Sequence, residues 1–159
     1  MIINTLDKLQ KIGEHLKKMW KTIVRTNGCF DLMHPWHIKN FEEAKKLWDV
    51  LIVWVNWDQS PYWSTKPWRP INTEYFRTTM VDALRSVDYV FVYNETTPLI
   101  PIETIVPDVL VKWWDYEITK IVWYDIVVNN WWKVVTVPIE WSYSTSAIIT
   151  KILDTYKNE

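Results

Sequence analysis

Apolar positions recur along the chain in two alternating rhythms. Residues 3–19 repeat at steps of three and four, with Leu6, Leu9, Ile12, Leu16 and Met19 on one side, which predicts an amphipathic helix. Thr22–Thr26 is a short apolar run that ends in Asn27-Gly28. A second helical pattern carries Ile38, Phe41, Ala44 and Leu47 on one face. Val50–Val55 is continuously apolar, as expected of a strand buried on both faces. Residues 57–72 are polar, contain Pro61, Pro67 and Pro70, and read as a loop. Asn72 can cap a helix to about Ser86, with Glu74 in its first turn. Tyr89–Tyr93, Val109–Lys112 and Val134–Val137 read as strands, and Pro98–Val106 and Ile118–Val128 as helices. A last helix begins near Ser144, with Ile148, Ile149, Ile152, Leu153 and Tyr156 as its expected buried face.

Strand and helix alternate throughout, and the strands are short and apolar. This predicts an α/β three-layer sandwich with a five-stranded parallel sheet and helices on both faces. The expected organisation is one domain over residues 1–159, an N-terminal helix (1–20) leading into a core (21–159). Ligands in such folds bind beyond the carboxyl ends of the strands. Attention therefore falls on loops 27–37, 56–72, 112–117 and 138–146.

Charge narrows the partners. The formal net charge is −1, which gives no electrostatic case for a nucleic-acid or membrane-surface binder. Cys29 is the single cysteine, so an internal disulfide is excluded and a reducing, cytoplasmic setting is expected. No apolar stretch is long enough to span a bilayer.

The first loop holds the densest chemistry. It reads Gly28-Cys29-Phe30-Asp31-Leu32-Met33-His34-Pro35-Trp36-His37. By itself a His-x-x-His pair is equally a metal half-site or two surface histidines. In this setting it resembles the first signature of the HxGH nucleotidyltransferases, and within them the heptose-1-phosphate adenylyltransferase branch, whose form is T-N-G-C-F-D-x-L-H-P-G-H. The resemblance runs from residue 20 to about 153. It continues through V-N-x-D at 55–58, K-P-x-R-P-I-N at 66–72 and Arg77, then V-D-Y-V at 87–90, P-D-V-L-V-K-x-x-D-Y at 107–116 and S-T-S-A-I-I at 144–149.

The resemblance implies a Rossmann-like nucleotidylyltransferase fold and the joining of ATP to a sugar 1-phosphate, with pyrophosphate released and Mg²⁺ accompanying ATP. The alternative from the same family is a cytidylyltransferase for glycerol phosphate or a related alcohol phosphate. By resemblance, His34, His37, Lys66 and Arg77 act on the phosphates. Asn27, Gly28, Cys29, Phe30, Asp31, Lys112, Asp115, Ser144, Thr145 and Ser146 surround the nucleotide. Asn56, Asp58 and Arg69 contact the acceptor. Plainer roles stand beside several of these: Ser144 also reads as a helix cap, Lys112 and Asp115 as a loop ion pair, and Asp31 as a residue that fixes its loop. A homodimer also fits the family. A stand-alone enzyme is expected, with its sugar phosphate supplied by a separate kinase.

Composition then supplies an anomaly. The chain has 13 Trp and 2 Gly, where average usage would give roughly 11 glycines. Trp36 stands where the family shows H-P-G-H, Trp68 where it shows K-P-G-R-P, and Trp113-Trp114 where it shows K-G-G-D-Y. Trp131-Trp132, Trp141, Trp20, Trp48 and Trp54 also fall on common glycine positions, and the residues around them are intact. A sugar-binding module with exposed Trp would explain the count, but it leaves the ordered strings unexplained. The reading adopted is a decoding one. UGA codons that specify glycine in some bacterial lineages have been rendered as Trp. Several of these positions are then expected to need a left-handed backbone.

Overall fold

The structure is a computed structural model that describes residues 1–65, 68–94, 99–113, 133–137 and 144–157. In chain order the elements are β1 (Ile2–Ile3), α1 (Leu6–Lys18), β2 (Ile23–Gly28), α2 (Pro35–Lys46), β3 (Val50–Asn56), a 3₁₀ turn (Pro61–Thr65), α3 (Glu74–Asp82), β4 (Tyr89–Tyr93), α4 (Leu99–Ile105), β5 (Val109–Trp113), β6 (Lys133–Val137) and α5 (Thr145–Tyr156). The expected helix at 118–128 lies outside the described residues.

All strand pairs are parallel, in the order β1-β4-β3-β2-β5-β6. The sheet therefore has six strands and not the five expected. The missed strand is β1, where Ile2 pairs with Val90 and Ile3 with Phe91. Two residues carry no periodicity to read. They hold because Ile3 enters the core and Val90 N–H donates to the Met1 carbonyl. Residues 1–20 are thus built into the core through β1 and through Leu9 and Leu16 of α1.

Alternation along β3 divides the interior into two layers. Leu51, Val53 and Val55 join Phe41 and Ala44 of α2 and Val81 of α3. Ile52 and Trp54 point the other way, toward Leu9 and Leu16 of α1 and Ile102 and Ile105 of α4. Gly13 permits the close approach of α1 to α4, since a Cβ there would stand 2.9 Å from Cγ1 of Ile105. The result is the expected three-layer α/β/α arrangement. Among the described residues no helix is long and apolar enough to cross a membrane.

Helix boundaries follow local chemistry. Thr5 caps α1 by accepting from Lys8 N–H, and Ser144 caps α5 by accepting from Ala147 N–H. The cap of α3 is Thr73, one residue beyond the expected Asn72, and the helix ends at Asp82, with Ala83 as its C-cap, instead of near Ser86. The last helix departs further from expectation. None of its residues is buried, and Ile152, Leu153 and Tyr156 are each about half or more exposed. Its apolar stripe exists, but Val134, Val135 and Thr136 of the neighbouring β6 are themselves only half-buried.

Among the described Trp residues only Trp20 takes a positive φ, at 56°. It sits just past the end of α1. Trp20 N–H donates to Lys17 O at 2.9 Å and Lys21 N–H to Leu16 O at 3.0 Å, the paired bonds of a helix stop that favours glycine. The indole is 93% exposed, so packing returns little for the backbone strain. Trp20→Gly is expected to stabilise the fold by about 1–2 kcal/mol, read as a raised denaturant midpoint with an unchanged m-value.

Candidate functional site

The chain order β2, β3, β4 runs outward on one side of β2, and β5 returns on the other side. This reversal opens a crevice at the carboxyl ends of β2 and β5, where α/β folds bind ligands. Lys112 at the end of β5 donates to Asn27 Oδ1 at the end of β2, at 2.8 Å, and so spans the crevice.

The β2–α2 loop delivers the two histidines. Pro35 opens α2, where its fixed φ suits the first helical position. His34 is the cap residue and His37 the third residue of the helix. Their ring centroids are 3.9 Å apart. His34 N–H donates to His37 Nδ1 at 3.3 Å, which makes Nδ1 an acceptor and leaves the neutral imidazole's proton on Nε2. Burial, followed by the neighbouring His34, pushes His37 down to about 3. Burial also lowers His34. Both rings are therefore neutral hydrogen-bond donors at physiological pH. They sit at a helix N-terminus, where exposed N–H groups and the helix dipole favour anions.

This arrangement makes stability depend on pH. The unfolded His37 imidazole titrates near 6.5 and the folded one near 3. Between those values the unfolded chain binds the extra proton. Stability is complete above pH 6.5 and is expected to fall by up to about 1.4 kcal/mol per pH unit as pH drops through that window. Denaturant titrations at pH 7, 5.5 and 4.5 check this. His37→Asn should flatten the slope by close to one proton.

Phe30 fixes the loop before the histidines. It takes a φ of 50° and is buried against Phe41 and the edge of His37. A Cβ on Gly28 would come within 2.8 Å of its ring, so Gly28 is needed for space. Cys29 is half-buried and forms no disulfide, being the single cysteine of the chain.

Asp31 and Arg77 join the loops together. The buried Asp31 carboxylate accepts from Arg69 Nε at 2.9 Å, Ile71 N–H at 2.9 Å and Asn72 N–H at 2.8 Å. Its carboxylate oxygens are thus taken by the chain itself, and of its two expected roles the structure shows the loop-fixing one. Arg69 is held in the same contact. Arg77, expected at the phosphates, is fully buried instead. Nε donates to Asn72 O, Nη1 to Cys29 O, and Nη2 to Asn56 O and Asp58 Oδ1, at 2.6 to 3.0 Å. It locks the β2, β3 and pre-α3 loops as a positioning residue. The reason is topological, since α3 packs beneath the loops whose carbonyls need donors. No sequence string signals that difference.

Asn56 is buried and donates to Ser60 Oγ, and Asp58 receives Arg77 while remaining partly exposed. Thr145 Oγ1 donates to Leu32 O at 3.3 Å, which brings the start of α5 to the histidine loop. Ser144 is engaged as a cap and Ser146 is exposed beside it. Lys66 and Asp115 lie outside the described residues. Sequence reasoning missed Trp63, which is buried with both guanidiniums near its ring, Arg77 at 5.6 Å and Arg69 at 6.0 Å. Its place inside a polar loop gave no sign of burial.

Comparison with known proteins follows the same segments. The chain is 38% identical over 155 residues to the bifunctional protein HldE of Syntrophotalea carbinolica, covering 98% of this chain and 32% of the relative. It is 46% identical over 139 residues to the bifunctional protein HldE of Campylobacter jejuni subsp. doylei, covering 87% of this chain and 29% of the relative. The chain thus spans about a third of the length of these curated relatives. A solved structure of the lipopolysaccharide core biosynthesis protein of Thermoplasma volcanium superposes with a TM-score of 0.63 at 26% identity, over 78% of this chain and 99% of that one. The cytidylyltransferase-like family model matches residues 25–151, a span that runs from β2 through the histidine loop to α5, and the chain belongs to that family.

Proposed function

We propose that this chain is an adenylyltransferase that joins ATP and a heptose 1-phosphate to give ADP-heptose and pyrophosphate. The observation that carries the reading is the neutral, buried His34–His37 pair at the N-terminus of α2, set at the sheet's crevice in a chain this similar to HldE. A sugar phosphate is largely dianionic near neutral pH, because a phosphomonoester's second pKa is about 6. Its oxygen attacks the α-phosphorus in line, the bond to the bridging oxygen breaks, and pyrophosphate carries away the electron pair. The protein supplies no nucleophile. It aligns the two substrates and stabilises phosphate charge.

Each side chain has a place in this scheme. His34 and His37 donate to phosphate oxygens. Lys112, Ser146 and the α5 N-terminus border the nucleotide, and Asn56 and Asp58 border the acceptor. Lys66 and Asp115 complete the phosphate and nucleotide contacts. Mg²⁺ arrives with ATP. Magnesium bound with a nucleotide is held largely by phosphate oxygens and water. The reaction requires another enzyme to supply the sugar 1-phosphate, for which a sugar kinase is the simplest source.

The test incubates the chain with ATP or CTP and either D-glycero-β-D-manno-heptose 1-phosphate or glycerol 3-phosphate, and measures pyrophosphate. Release with ATP and the heptose phosphate is expected. Release only with CTP and glycerol phosphate would overturn the reading.

A further inference from the structure

The sheet face beneath α1 and α4 changes character along its length. Its amino-terminal end is apolar, with Ile23 level with Val50, while Ile52 lies level with Arg25 and Phe91 level with Trp54. Arg25 follows on β2 and is fully buried, a rare place for a guanidinium. Its Cζ lies 3.9 Å from the centroid of the Trp54 ring. The register pairs Trp54 with Asn27, two residues nearer the carboxyl end than Arg25. The guanidinium therefore leans toward the crevice, and the indole lies over it.

Beyond the indole comes a polar rim. Tyr93 is buried and lies level with Asn56 in the sheet. Lys112 reaches Asn27. The indole suits this place poorly. Trp54 is wholly buried, yet its ring N–H has no acceptor among the described residues, whereas a buried Trp usually finds one. Burial also lowers Arg25 to about 9, with Tyr93 acting in the opposite sense, so the cation sits in a poorly solvated space.

We propose that position 54 gates an acceptor subsite: without the indole, the space over Arg25 opens toward the crevice and takes the hydroxyl-bearing end of a sugar phosphate. Arg25 donates from the floor. Asn27, Asn56 and Tyr93 line the wall with groups that both donate and accept, as sugar hydroxyls require. A polar cavity of this kind holds water when no ligand is present. The identity of the acceptor rests on the adenylyltransferase reading, while the existence of the pocket does not.

The experiment measures binding without turnover. Calorimetry compares the unsubstituted chain with Trp54→Gly and Trp54→Ala, using D-glycero-β-D-manno-heptose 1-phosphate and, as a short probe, glycerol 3-phosphate. Both variants are expected to bind the heptose phosphate about tenfold tighter or more, a gain of about 1.4 kcal/mol. Affinity for glycerol 3-phosphate should stay within about twofold, and Arg25→Met in the same background should remove the gain. Circular dichroism checks that the fold is kept. A missing gain, an equal gain for the short probe, or a gain that survives Arg25→Met overturns the proposal. Loss of the fold in both Trp54 variants overturns it too, because the indole would then be required packing. Binding that behaves as expected without any pyrophosphate release would overturn the activity and leave the subsite standing.

Discussion

Replacing either His34 or His37 by alanine is expected to lower kcat by about 10²–10³, the usual cost of one preorganised donor to developing charge. KM for ATP should stay within about threefold, because the loss falls on the transition state and spares ground-state binding. The geometry supports this split. Both rings are held before any ligand arrives, His37 by the His34 N–H and the edge of Phe30, and His34 by the other imidazole 3.9 Å away. Neither has to be ordered or desolvated during the reaction. The double variant should lose little more than the worse single one, since the pair acts as a unit. Because His37 also accepts a hydrogen bond within the helix start, His37→Asn serves as the structural control. It keeps an acceptor, so it should keep the fold while activity still falls. Single-turnover measurement of pyrophosphate release decides the matter. A variant whose KM rises while kcat holds would assign the pair to substrate binding alone.

The sequence exposes most of the frame that brings these rings together. Continuous apolar runs identified β3 and β4, and Asn27-Gly28 marked the end of β2, because burial on both faces of a parallel sheet leaves only apolar residues along a strand. The position of the His-x-x-His pair in the loop after β2, with the family resemblance around it, points to the mouth of the crevice. Three features escaped for distinct reasons. β1 is two residues long, too short for any period, and exists only because β4 offers it a parallel edge. The stripe on α5 was real as a pattern, but whether a stripe is covered depends on the neighbouring sheet edge, which the stripe does not encode. Arg77 is expected at the phosphates by family resemblance alone, which carries a residue's type and not its direction. Its bonds to Cys29, Asn56 and Asn72 depend on where three loops converge. Residue chemistry was thus easier to read than residue direction. A guanidinium is recognisable in the sequence, but whether it faces a ligand or a carbonyl is settled by tertiary contacts.

The Trp residues separate two needs for glycine that the composition had merged. Trp20 occupies a left-handed helix stop, where the need is conformational. Trp36 has no such strain. It lies in the first turn of α2, half-buried, with its ring centroid 6.3 Å from that of His34 and 6.1 Å from that of His37. There the need is space. The indole lies beside the imidazoles and the helix-start N–H groups that would meet the triphosphate. Trp36→Gly is accordingly expected to raise kcat/KM for ATP by at least about 10²-fold, since displacing a reacting group by about 1 Å already costs that much. Stability should change by less than about 1 kcal/mol, because glycine's cost in a helix is of that size and the indole is only partly buried. Steady-state kinetics with both substrates saturating in turn will show the change, and Trp20→Gly provides a control that should gain stability without gaining rate. Equal activity with Trp or Gly at position 36 would refute the steric argument. The gene gives an independent check. UGG codons at Trp36, Trp113 and Trp114 would sink the decoding explanation while leaving the kinetic prediction intact; UGA codons there, in a cell whose UGA-reading tRNA carries glycine, would mean that the cell already makes the glycine form.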